Sequence, residues 1–139
     1  MRLKGDLHQA TKKLGHNVGN LLYEETKAVT GKRFYSLKEL RGMGFPYSKK
    51  FPENFVMDDR IINLQSGRLH RSIRWTYRTS SGKLTAVIWA GAPHAAKLVR
   101  GTDKMRERNF FSLAFDRASA KVKDQEEKFF REVTNATKR

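Results

Sequence analysis

The side chains best placed for chemistry in this chain are cations and aromatics. Arg68, Arg71, Arg74 and Arg78 recur every three or four residues around Trp75 and Tyr77. Guanidinium forks pair with phosphate or carboxylate and aromatic faces stack on bases, so the cluster is a candidate surface for a polyanion. Strand alternation divides it. With Arg74 and Arg78 turned to solvent, Trp75 and Tyr77 turn to the core, which leaves phosphate attraction on that face without base stacking. Solvated arginines covering the sheet are the plainer alternative. A second group, Phe45, Tyr47, Phe51 and Phe55, lies in a stretch punctuated by Gly and Pro. It is a candidate partner-binding arm, with packing on the chain's own core as the alternative.

The remaining titratable groups form no reactive pattern. His8, His16, His70 and His94 include no H-x-x-x-H pair and no carboxylate at metal-ligand spacing. Asp58-Asp59 could hold a cation, but a polar loop favours a solvated turn there. Glu126-Glu127-Lys128 has the residue types of a metal-dependent nuclease element, yet it falls in a helical pattern rather than on a strand. No nucleophile elbow, P-loop or dinucleotide fingerprint occurs. The absence of Cys excludes disulfides and thiolate chemistry and suits a reducing cytosol, or a particle assembled in one. The expectation is a protein that is not an enzyme and has no catalytic residues, metal or cofactor.

The elements that position these residues follow from periodicity. Leu7, Ala10, Leu14, Val18, Leu21, Leu22 and Val29 share one helical face and predict a helix over residues 6–29. Asp6 with Gln9 suits a capping box, and Gly31 suits the position past the helix end. Gly15 and Gly19 are read as a small-residue gap in an ordinary helix, the alternative being close approach of another backbone. Residues 31–67 break the pattern, with one short helix expected at 36–41.

Residues 71–79 and 83–90 predict a hairpin joined by Ser80-Ser81-Gly82. Thr85, Val87 and Trp89 alternate with Leu84, Ala86 and Ile88, so the second strand is expected to be the more buried and to be covered by at least a third strand. Residues 95–99 form a helix or turn ending at Gly101-Thr102. From an Asn109 cap, Phe111, Phe115, Ala118, Val122, Gln125, Phe129 and Val133 mark the apolar face of a C-terminal helix. The fold class is α+β: a small antiparallel β-sheet flanked by a long N-terminal and a long C-terminal helix, with an extended irregular arm. The expected organisation is a single domain: helix 1–30, arm 31–67, sheet region 68–108 and helix 109–139.

At 139 residues and 16.1 kDa the chain suits one modest core, and its net charge of +15 is the largest compositional signal. Residues 1–59 carry eleven Lys/Arg against seven acids, residues 60–102 eight against none, and residues 103–139 ten against seven. The excess therefore sits in the middle, around the predicted hairpin, and implies polyanionic or acidic partners. No apolar run suits a membrane helix or a signal peptide, so no membrane partner is expected.

Two stretches carry a resemblance. Residues 64–73 (LQSGRLHRSI), preceded by residues 37–47 (LKELRGMGFPY), are similar to the approach to the sheet in tail-completion proteins, minor tail proteins of the neck of tailed bacteriophages. Residues 95–111 (AAKLVRGTDKMRERNFF) resemble that family's pattern of a small apolar segment, Gly-Thr, a Met, then Arg-x-Phe entering the last helix. The family usually has an acid before the Gly-Thr and a proline between Arg and Phe, where this chain has Arg100 and Asn109. The resemblance spans roughly residues 31–120 and implies a virion protein assembled in the bacterial host cytoplasm. It would be a homo-oligomeric ring, commonly a hexamer, at the neck or tail terminus. Its partners would be a connector or adaptor, the tail tube or terminator, and DNA in the axial channel. No catalytic residue or cofactor carries over. A non-enzymatic basic nucleic-acid-binding protein is the alternative, and it lacks a helix-turn-helix, zinc or RNA-recognition signature.

Overall fold

The computed structural model describes residues 2–42, 58 and 60–138. The first helix, α1, runs Arg2–Thr30 and stops at Gly31 as its pattern predicts. It begins four residues before Asp6, so the Asp6 and Gln9 pair lies within the helix instead of capping it. Arg2, Leu3 and Lys4 are good helix formers, and Gly5 alone does not halt propagation. Thr26 and Thr30 are each 1% exposed, and their hydroxyls are satisfied inside the helix, donating to the Leu22 carbonyl (2.7 Å) and the Thr26 carbonyl (2.9 Å).

A short α2, Leu37–Gly42, follows one residue later than expected. Its start is a capping box: Ser36 N–H donates to Glu39 Oε2 at 2.7 Å and Glu39 N–H to Ser36 Oγ at 3.2 Å. The Ser36 hydrogen bonds hold the Glu39 carboxyl below the usual range. A one-turn α3, Arg68–Ser72, leads directly into β1, Ile73–Ser80, which pairs antiparallel with β2, Lys83–Ala90. The hairpin closes through Ser81 and Gly82 at φ of 51° and 73°, a two-residue turn whose left-handed backbone matches the strand twist. The short α4, Ala95–Arg100, and α5, Phe110–Thr137, complete the chain. Asn109 caps α5, its side chain accepting from Ser112 N–H at 3.1 Å.

The long helices pack antiparallel, tied by Lys13 to Glu132 (2.8 Å), Asn17 to Gln125 (3.1 Å) and Lys121 to Glu25. The hairpin packs on α1 as well, which makes α1 the element that both long partners share. Val29, Ile62, Leu69, Ala92, Ala95, Leu98, Phe110, Leu113 and Ala114 form the core where the end of α1, α4 and the start of α5 meet.

Two expectations about packing are corrected. Among the described residues the sheet has two strands, and the inner face is covered by α1 rather than by a third strand. Two strands need an apolar partner, and a helix supplies one as well as a strand does. The second strand is the more covered along its length, as expected, with five of its eight residues half-buried against one buried and two half-buried in β1, although Ile73 at the start of β1 is fully enclosed and Trp89 of β2 is 44% exposed. In α5, Phe115 is 63% exposed, and Phe110, Leu113 and Ala114 are buried instead, while Ala118 is buried as predicted. A spacing of three and four is met by both sets, and the direction from which the core approaches selects between them. Farther along, Val122, Gln125, Phe129 and Val133 are half-buried as predicted.

The paired glycines of α1 serve a close approach, though of rings and not of a backbone. A Cβ at Gly19 would lie 2.3 Å from two ring carbons of Trp75, and one at Gly15 would lie 2.5 Å from Tyr77 and 2.8 Å from Leu84. The two aromatic rings stack side by side, with centroids 6.4 Å apart, and His16 meets Trp75 edge-on at 5.4 Å. Alternation along β1 therefore buries Trp75 and Tyr77 against helix backbone that only glycine leaves open.

Candidate functional site

The register of the hairpin decides which side chains share its outer face. Arg74 opposes Trp89, Thr76 opposes Val87, Arg78 opposes Thr85 and Ser80 opposes Lys83, and directly opposed residues project to the same side. The inner face holds Ile73, Trp75 and Tyr77 with Ala90, Ile88 and Ala86. Arg74 and Arg78 are exposed, as the alternation predicts. The Arg74 guanidinium folds back along its strand, Nη1 donating to the carbonyls of Arg71 (2.7 Å) and Ile73 (2.9 Å). The expectation that this face lacks an aromatic is overturned, because Trp89 stands beside Arg74. The signal was present in the sequence: a two-residue turn at Ser81 and Gly82 pairs position 74 with position 89.

Arg68 and Arg71 do not lie on the strand. They belong to α3 and are exposed. The predicted basic cluster is therefore split between a sheet face and a helical turn. Phe45, Tyr47, Phe51 and Phe55 lie outside the described residues.

Arg68 instead rims a groove of about 300 Å³ between residues 62–70 and α4. Leu64, Leu69, Leu98 and Met105 supply apolar wall, and His70, His94 and Lys97 supply the other basic groups. Among the described residues no Asp or Glu lines it. The His70 ring sits with Nδ1 3.3 Å from Thr30 Oγ1, while Lys27 Nζ donates to the His70 carbonyl at 2.7 Å. Burial first, then the nearby charges of Lys27 and Arg71, push the His70 pKa below 6.5. The sign follows from proton counts: below pH 6.5 the unfolded chain binds a proton that the folded chain resists, so His70 subtracts stability as pH falls. Thermal melts between pH 7.5 and 5.5 are expected to show a falling midpoint for the natural protein and a smaller fall for His70→Gln.

Two cations went unnoticed in the sequence because their roles are tertiary. Arg108 is 1% exposed within the core region, its Nη1 donating to the Ile61 carbonyl at 3.2 Å and its backbone N–H to the Leu98 carbonyl at 2.7 Å. Arg60 joins the 58–61 loop to α5 through Asp58 (3.2 Å) and Asp116 (2.8 Å). Both carboxylates raise its pKa, and its hydrogen bonds in turn hold Asp58 low. Asp58 thus accepts from Arg60 in a tight turn, the solvated-turn reading of that acidic pair; Asp59 lies outside the described residues. Glu126, Glu127 and Lys128 lie exposed on α5, with Glu127 3.9 Å from Arg131 one turn on. Among the described residues no three His, Asp or Glu side chains converge, and no helix is long and apolar enough to cross a membrane. Comparison with protein-family models, with curated proteins and with solved structures finds no match to this chain.

Proposed function

We propose that the protein is a structural subunit of a tailed-bacteriophage virion, forming a homo-oligomeric ring at the neck or tail terminus that completes the tail and joins it to the head. One observation carries this reading. The two stretches that resemble tail-completion proteins, residues 64–73 and 95–111, are far apart in sequence yet both line one groove, the first through Leu64 to His70 and the second through Lys97, Leu98 and Met105. Two short matches that fold into one contiguous unit carry more weight than the same matches scattered over the surface. The charge distribution agrees with a holding role, because a ring subunit needs two different complementary faces and the hairpin offers one that is strongly basic.

Arg74→Glu/Arg78→Glu reverses that face without touching the core. Phage carrying the double variant should yield at least about tenfold fewer joined particles by electron microscopy, since a like-charge contact costs several kcal/mol. Separate full heads and tails would identify an acidic protein partner, whereas joined particles that lose DNA would place the face toward the axial channel. Wild-type numbers of joined, DNA-filled particles would refute a role for this face in joining.

A further inference from the structure

We infer that the outer face of the hairpin is a binding strip for single-stranded nucleic acid, with Trp89 as the stacking platform and Arg74, Arg78 and Lys83 as the phosphate contacts. The inference does not depend on ring assembly, because a single chain already carries the whole strip.

Two features identify the occupant. The first is charge: residues 60–102 contain eight Lys/Arg and no acid, so the hairpin itself contributes no carboxylate to its cations, although Arg74 Nη1 also donates to the Arg71 and Ile73 carbonyls. The second is Trp89, 44% exposed on a face otherwise made of Arg, Lys, Thr, Ser and the half-buried Val87. Leaving a Trp half in water forgoes much of the transfer free energy its ring would gain in a core. Phosphates alone would need no aromatic, and a duplex offers no free base face to stack. An unpaired strand offers both a charged backbone and exposed rings, which is the pairing this strip presents.

Size argues against a protein partner seated on this face alone. Two strands of eight residues make a surface of roughly 27 by 10 Å, about a third of the ~800 Å² that each side of a standard protein interface contributes. A narrow strip is matched by a linear polyanion. Arg74 and Arg78, four residues apart on one strand, lie about 14 Å from each other along it, so one extended segment would meet both and pass Trp89.

The test uses the full chain and three probes at ~100 mM salt: a thymidine 20-mer, a 20-base-pair duplex and polyglutamate of similar charge. The 20-mer is expected to quench tryptophan fluorescence and to bind at least tenfold more tightly than polyglutamate. Trp89→Ala should weaken that binding by about 5- to 150-fold, and Trp89→Phe should keep most of it. Arg74→Gln/Arg78→Gln should flatten the dependence of log affinity on log salt by about 1.4, the slope expected for two lost phosphate contacts. Because Trp89 lies outside the core, an unchanged circular dichroism spectrum confirms that its variants fold. Equal affinity for polyglutamate would overturn the inference in favour of an acidic protein face. Binding of the 20-mer unaffected by Trp89→Ala, or the absence of binding, would overturn it as well.

Discussion

Phe110→Ala should lower the unfolding free energy by about 3–5 kcal/mol, the largest single-residue effect expected in this protein. Phe110 has no exposed surface and opens α5 in the cluster of Val29, Leu69, Leu98 and Leu113. Its ring lies 4.4 Å from that of Phe111, tilted by 36°. Truncation removes the transfer free energy of the ring and leaves a cavity among residues held by three helices, which cannot close over it. Single domains of this kind are stable by only about 5–15 kcal/mol, so the variant forfeits a large share of the total. Phe115→Ala, one turn later at 63% exposure, should change stability by less than about 0.5 kcal/mol. Urea titrations of the two variants decide the matter: equal midpoints would mean that α5 presents a different face to the core.

Gly19→Ala should destabilise by about 1–2 kcal/mol, although alanine is the better helix former. The intrinsic preference favours the substitution by about 1 kcal/mol, and overpacking of a close contact opposes it by about 1–3 kcal/mol. The second effect prevails here because the added carbon would lie 2.3 Å from two Trp75 ring atoms. Trp75 has little room to retreat, with Tyr77 stacked beside it, His16 at its edge and its backbone paired in the ladder to Ile88. Gly5→Ala supplies the contrast: nothing lies within 4 Å of the added carbon, so the same exchange should stabilise by about 0.5–1 kcal/mol. Opposite shifts in melting temperature are the expected result. Pairing Gly19→Ala with Trp75→Leu should recover part of the loss, and strict additivity of the two would show that the ring does not rest on Gly19.

Local physics made much of the architecture legible in the sequence. The helical stripe ending at Gly31, the short helix near residues 36–41, the Asn109 cap and the strand over residues 83–90 each depend on steric and hydrogen-bonding rules that act within a few residues. The separation of Arg74 and Arg78 from Trp75 and Tyr77 is of the same kind, since strand alternation requires it. The candidate site was legible only in part. Arg74 and Arg78 share the outer face, whereas Arg71, read as the first residue of the strand, and Arg68, grouped with it by charge, belong to a helical turn that periodicity over so few residues cannot reveal.

The amino-acid sequence by itself determined the two long helices, the hairpin and where the positive charge collects. Only the tertiary structure decided that a helix covers the sheet, that Gly15 and Gly19 receive aromatic rings, and that Phe110 and not Phe115 is the buried anchor. The physical reason is common to all three. Periodicity names the positions that share a face, but burial is set by whichever distant element comes to rest on that face, and no rule confined to neighbouring residues carries that information.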